Sequence, residues 1–204
     1  MDGLENIKSQ RIERRGPKTD NRSPRNATKR NESKTRESLF RRTLERSPNA
    51  VGIAYGCRRA GKTQIARALL LERGIGLRRW ADVVFVFCQS INRKAYESCG
   101  IEGQYIYHAY QEEIIKKIIQ TQEELVEKGV EKLKILVIID DCLGSRKEKS
   151  KNINGENGIE YLFSVGRHYN IHTIVLTQSM KFVSQLYQNS DYIFAFPRSI
   201  RMKR

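Results

Sequence analysis

Residues 56–63 read G-C-R-R-A-G-K-T. The pattern is G-x-x-x-x-G-K-[ST], a loop built to hold phosphate, and its reading decides the fold. Its glycines let the backbone turn tightly, so that successive N–H groups face one anion. The helix that follows aims its positive end at the same anion. Lys62 reaches the β- and γ-phosphates of a nucleotide, and the Thr63 hydroxyl binds Mg²⁺. The flanks supply the context that this chemistry requires. Residues 50–55, A-V-G-I-A-Y, form a short apolar run that reads as a buried strand. Residues 64–72, Q-I-A-R-A-L-L-L-E, are good helix formers with no Gly or Pro. Strand, loop and helix together assign Gly56, Arg59, Ala60, Gly61, Lys62, Thr63 and Gln64 to nucleotide binding. An ordinary glycine-rich turn is the bland alternative.

About 80 residues downstream, K-I-L-V-I-I-D-D opens at Lys134. Five apolar residues ending in two carboxylates read as a central parallel strand, because such strands are covered on both faces. Charges at its carboxyl end emerge where α/β proteins place their ligands. In this Walker B pattern Asp140 belongs to the Mg²⁺ shell, beside Thr63, and Asp141 orients or deprotonates the attacking water. Solvated turn carboxylates are the alternative.

The rest of the chain alternates in the same way. Residues 81–88 read as a buried strand and 91–98 as a short helix. Residues 104–107 read as a strand, and 74–79 as a basic turn. From 111 to 128, Ile114, Ile115, Ile118, Ile119, Leu125 and Val126 recur at helical spacing, which predicts an amphipathic helix. Residues 144–158 are polar and rich in Lys, Asn and Gly, a loop at the carboxylate edge. A helix over 159–167, a strand over 171–179, a helix over 180–188 and a strand over 191–196 follow, and then a basic tail. Gln178 sits near the end of the 171–179 strand, where additional-strand NTPases carry a polar residue that senses the γ-phosphate. Arg167 ends a helix. It is read as a catalytic arginine, from its own or a neighbouring chain, with a plain helix-end cation as the alternative. His168 and His172 straddle a helix–strand junction, which argues against a metal pair.

The chain has 204 residues and a formal charge of +15. That charge points to a polyanionic partner, most simply nucleic acid, with an anionic membrane surface as the alternative. Residues 1–48 hold 14 Lys/Arg against 7 Asp/Glu, a net +7, with few large apolar residues before Leu39. They read as a disordered basic arm, with a short helix over 37–46, ahead of an ATPase domain over 49–204. The arm is either an electrostatic hold on nucleic acid or a solvated tail or localisation signal. No apolar run approaches the roughly 18 residues of a membrane span, and the first residues have no apolar signal core. Cys57, Cys88, Cys99 and Cys142 lie far apart with no C-x-x-C pair, which suits reduced intracellular thiols. The fold class expected is α/β: a three-layer α/β/α P-loop NTPase with a mainly parallel central sheet.

Three segments together carry a resemblance: G-C-R-R-A-G-K-T, I-L-V-I-I-D-D-C-L and V-G-R-H-Y-N-I-H-T-I-V-L-T-Q-S. The set resembles the genome-packaging ATPases of poxviruses, other large DNA viruses, virophages and polinton-like viruses, within the FtsK–HerA superfamily. The likeness covers about residues 50–196. It implies ATP and Mg²⁺ as cofactors, with Lys62, Thr63, Asp140, Asp141 and Gln178 in the roles given above. It implies ATP hydrolysis coupled to moving double-stranded DNA into a capsid, by a homo-oligomeric ring that meets capsid proteins. It places the protein inside the host cell, in a viral factory or the nucleus, with virion association as a further option. Arg58 and Arg59 depart from the small residues common in this loop, and one of them is a candidate same-chain arginine. Two other classes stay open: a P-loop nucleoside or nucleotide kinase, and a nucleic-acid-binding protein with an inactive NTPase core.

Overall fold

The computed structural model describes residues 49–71, 76–142 and 158–196. The arm over 1–48 with its helix at 37–46, the loop at 144–157 and the tail at 197–204 lie outside the described residues.

Six strands form one sheet: β1 (Val51–Tyr55), β2 (Val83–Cys88), β3 (Ile106–Tyr107), β4 (Ile135–Asp140), β5 (Ile171–Thr177) and β6 (Tyr192–Ala195). Their order is β3-β2-β4-β5-β1-β6, and every pairing is parallel. The sheet is thus wholly parallel among the described residues, where the sequence promised mainly parallel. Parallel strands need crossovers, and among the described residues six α-helices supply them. These are α1 (Lys62–Leu71), α2 (Leu77–Trp80), α3 (Arg93–Glu97), α4 (Glu112–Glu127), α5 (Gly158–Val165) and α6 (Met180–Leu186).

The apolar runs are continuous because both faces are covered. On one face Val51, Ile53, Ile135, Val137, Ile139, Ile171 and Val175 join Ile115, Ile118 and Ile119 of α4. Ile159, Leu162 and Phe163 of α5 and Leu186 of α6 complete that cluster. The alternate residues Val84, Val86, Leu136, Ile138, Ile174 and Leu176 are equally buried toward the other face. There α1 packs on β1 and β5, and it buries Ala66, Leu69 and Leu70. Three layers result, as expected.

Gln122 ties two strand entrances together. It is fully buried on α4. Its Nε2 donates to Leu133 O at 2.6 Å and Tyr169 O at 2.7 Å, and its Oε1 accepts from Leu133 N at 3.1 Å. One side chain so pairs backbone groups just ahead of β4 and β5.

Several boundaries differ from the sequence reading. The turn at 74–79 contains α2, because Leu77 is buried and Arg79 and Trp80 N–H groups both bond Gly76 O. The helix at 91–98 begins as a 3₁₀ turn, Ser90–Asn92, before α3. The strand at 104–107 keeps two residues, since Gly103–Tyr105 winds into another 3₁₀ turn. Helix α5 stops at Val165, and Arg167 lies in the 3₁₀ turn Gly166–Tyr169 that follows a poor helix former. Strand β5 stops at Thr177, whose Oγ1 accepts the Ser179 N–H at 3.0 Å in a side-chain turn.

Candidate active site

The loop leaves β1 at the carboxyl edge of the sheet. Gly56 N–H bonds Thr177 O at 3.2 Å, which ties the loop's first residue to the end of β5. A Cβ at Gly56 would lie 2.8 Å from the Phe196 Cβ, so only glycine fits there. Arg59 and Gly61 take φ of 61° and 98°, and between them they reverse the chain. Ala60 N–H closes the turn on Cys57 O at 3.3 Å, and Ile65 N–H on Gly61 O begins the ladder of α1. The side chains of Cys57, Arg58, Arg59 and Gln64 are exposed. Lys62 is buried, and its Nζ donates to Gly56 O at 2.9 Å and Cys57 O at 3.0 Å. The ammonium is thus folded onto the loop that would carry the phosphates.

Strand order decides what stands beside the loop. Because β5 lies between β1 and β4, the end of β4 sits one strand away from the loop. Thr63 Oγ1 donates to Asp140 Oδ2 at 2.9 Å. Asp140 is 1% exposed. Burial pushes its carboxyl above the usual range, while the bonds from Thr63 and Tyr96 pull it down; Asp141 adds to the rise and Lys62 opposes it. Asn92 Nδ2 at 3.1 Å and the Tyr96 hydroxyl at 2.9 Å donate to the same Oδ2.

Asp141 steps out of the strand with φ 52°, a left-handed conformation that Asp tolerates better than most residues. Its N–H bonds Leu176 O at 2.9 Å, and its carbonyl accepts from Gln89 Nε2 at 3.1 Å. Gln178 Nε2 donates to its Oδ2. The residue is held from β2 on one side and from beyond β5 on the other.

The structure therefore gathers Lys62, Thr63, Asp140, Asp141 and Gln178 at one edge, as expected. It does not bring Arg167 there. Arg167 precedes β5, and its carbonyl accepts from Asn49 ahead of β1 at 3.2 Å. Both lie at the amino edge of the sheet. Seven residues of strand separate that edge from the site, about 20 Å. A same-chain catalytic role does not fit this placement; a role toward a neighbouring chain, or a surface cation, does.

Gln89, Asn92 and Tyr96 were not read from the sequence. Gln89 follows the apolar run F-V-F-C, so the rule that polar residues at strand carboxyl ends face ligands would have found it. Asn92 and Tyr96 are four apart on a short crossover and carry no comparable signal. The cysteines are all free. Burial, with help from Asp140, pushes the Cys88 thiol up to about 11 and the Cys142 thiol up to about 12, so both stay protonated at neutral pH. His172 is buried with its Nε2 2.9 Å from the Tyr192 hydroxyl, while His168 is exposed.

Residues 37–196 match the family model described as the poxvirus A32 protein. The chain belongs to this family. A32 membership agrees with the likeness carried by the three motifs, to viral packaging ATPases of the FtsK–HerA superfamily. The fold of the chain is that of a P-loop NTPase. A relative of this chain is an uncharacterized protein, 015R, of Frog virus 3 (isolate Goorha). It is 27% identical over 139 residues, which are 67% of this chain and 40% of the relative. The chain thus aligns with well under half the length of that relative. Among solved structures, the genome packaging NTPase B204 of Sulfolobus turreted icosahedral virus 2, in complex with sulfate, has a TM-score of 0.49 at 17% identity. That match covers 75% of this chain and 76% of B204. The cytoplasmic domain of EssC has a TM-score of 0.48 at 14% identity, covering 73% of this chain and 31% of that one. Among the described residues no helix is long and apolar enough to cross a membrane.

Proposed function

We propose that this chain hydrolyses MgATP at the carboxyl edge of its sheet and uses the energy to move double-stranded DNA during viral genome packaging. One observation supports this most: Lys62, Thr63, Asp140, Asp141 and Gln178 converge, with β5 inserted between the loop strand and the carboxylate strand.

The residues suit the cofactors. Lys62 would exchange its two carbonyl partners for phosphate oxygens, a stronger pairing because both groups are charged. The Thr63 hydroxyl and Asp140 carboxylate are hard oxygen donors 2.9 Å apart. Such a pair suits Mg²⁺, which binds through one or two protein oxygens, phosphate and water rather than in an all-protein cage. Bound Mg²⁺ would neutralise charge on the phosphates. Asp141 orients the attacking water and accepts its proton, and Gln178, bonded to Asp141, links that carboxylate to the γ-phosphate position.

Partners follow from charge and family. The formal +15 fits a DNA backbone. A homo-oligomeric ring, contact with capsid proteins, and work in the viral factory or nucleus complete the reading. Steady-state ATPase activity with duplex DNA titrated in is the test, beside a nucleoside phosphorylation assay. DNA-stimulated phosphate release is expected. Phosphate transfer to a nucleoside without DNA stimulation would replace the proposal with the kinase reading.

A further inference from the structure

We infer that Tyr96 and Asn92 are positioning residues for the metal-shell carboxylate, fixing Asp140 so that nucleotide-bound Mg²⁺ meets it in one orientation. The inference rests on the reading of Asp140 as part of the Mg²⁺ shell.

Asp140 is the last residue of β4, flanked in register by Cys88 on β2 and Leu176 on β5. An ionised carboxylate so buried needs donors. Three arrive from three elements: Thr63 from α1, Asn92 from the 3₁₀ turn after β2, and Tyr96 from α3. All three end on Oδ2. A carboxylate pinned through one oxygen by three donors has its plane set, and its second oxygen is aimed rather than free to rotate. Thr63 is itself a candidate metal group. The two donors that remain dedicated to orientation are Asn92 and Tyr96.

Tyr96 is well suited to the task. It is fully buried, and a buried hydroxyl is costly unless paired. Phe would fill the same space with no polar atom to desolvate. The hydroxyl's 2.9 Å bond to Asp140 is its counterpart. The short helix that carries Tyr96 is itself anchored. Arg93 donates from Nη1 to Ile106 O at 3.2 Å, from Nη2 to Gly103 O at 3.0 Å, and from Nε to Glu97 Oε1 at 2.8 Å. The crossover after β2 is thereby fastened to the β3 edge, and its donors reach Asp140 from a fixed base. This is the arrangement by which groups behind a metal ligand set its orientation.

The test uses the full chain and two binding measurements that need no turnover. A fluorescent ADP is titrated in EDTA, and Mn²⁺ binding to the ADP complex is followed by electron paramagnetic resonance. Tyr96→Phe and Asn92→Ala should each raise the half-saturating Mn²⁺ concentration about tenfold or more. Affinity for ADP in EDTA should not change, because Lys62 and the loop are untouched. Adding Tyr96→Phe to Asp140→Asn should cause no further loss. If Tyr96→Phe does not fold, Asn92→Ala decides alone. Wild-type Mn²⁺ dependence in both positioning variants, with a raised requirement in Asp140→Asn, would overturn the inference and leave the Mg²⁺ role of Asp140 standing. An unchanged requirement in Asp140→Asn would overturn both.

Discussion

Backbone geometry sets the two adjacent aspartates apart. Asp140 completes the strand and turns inward, where burial and three donors define it. Asp141 leaves the strand in a left-handed conformation, which swings its carboxylate away from its neighbour's surroundings and toward Gln178. A regular extended residue at 141 would instead have pointed to the opposite sheet face, since strand side chains alternate. Asp141→Asn should therefore bind MgATP with near-normal affinity and hydrolyse it about 10²–10⁴ times more slowly, the span usual for one general base. Equilibrium binding of a fluorescent nucleotide and single-turnover hydrolysis separate the two effects. Normal turnover would remove Asp141 from the base role.

At the scale of elements, the central strands were legible because each obeys one rule. I-L-V-I-I-D and I-H-T-I-V-L-T are apolar runs that both faces of a parallel sheet demand, and α4 is a clear amphipathic helix. The short pieces were not legible. Helix α2 and strand β3 have four and two residues, too few for any period to register, and tertiary packing sets them. The candidate site divides along the same line. Residues inside spaced motifs were found, whereas Asn92 and Tyr96 matter only because β2 happens to lie beside β4. Gln122 was equally hidden, a polar residue in a helix whose polar residues are mostly surface. Gln122→Leu would fill the space and strand three backbone partners. Unpaired buried groups cost about 1–3 kcal/mol each; these three bonds are only part-buried, so a loss of about 3 kcal/mol, the lower end of the threefold sum, is expected in urea unfolding. A loss under about 0.5 kcal/mol, the size of an ordinary surface change, would show that water replaces the amide.

At the scale of the whole molecule, the placement of Arg167 bears on assembly. An arginine at the amino edge meets a nucleotide only if a second chain presents its carboxyl edge. If the proposed ring juxtaposes those edges, Arg167→Ala should bind ATP normally and lose about 10³–10⁵ of turnover, the value of an arginine finger. Mixing Arg167→Ala with Asp141→Asn subunits should then restore part of the ATPase rate, because some interfaces regain both groups. An unimpaired Arg167→Ala protein would reduce this residue to a surface cation and direct attention to Arg58 and Arg59. Charge makes a separate prediction. Residues 1–48 carry +7, and the remaining 24 Lys/Arg against 16 Asp/Glu carry +8. If the arm grips duplex phosphates, deleting it should weaken binding to every duplex alike and flatten the salt dependence, by roughly 0.9 in slope for each phosphate the arm had neutralised. Filter-binding titrations across a salt series measure this. An unchanged slope would make the arm a localisation or docking segment.

Strand order also has a consequence for how the protein is born. The strand that carries the phosphate loop is made early, yet both its neighbours are made late: Val51 pairs with Thr173, and Gly52 with Tyr192. A ribosome must therefore translate nearly the whole described chain before β1 has a partner on either side. Until then five largely apolar residues wait without a sheet, a period in which an unfinished chain is open to misassociation. Pairings this distant in sequence also slow the search once the chain is free. A nascent or prematurely terminated chain that lacks β5 and β6 holds every residue of the phosphate motif but has no sheet in which to mount it. The phosphate loop is consequently mounted in one late step, when β5 and β6 close on β1.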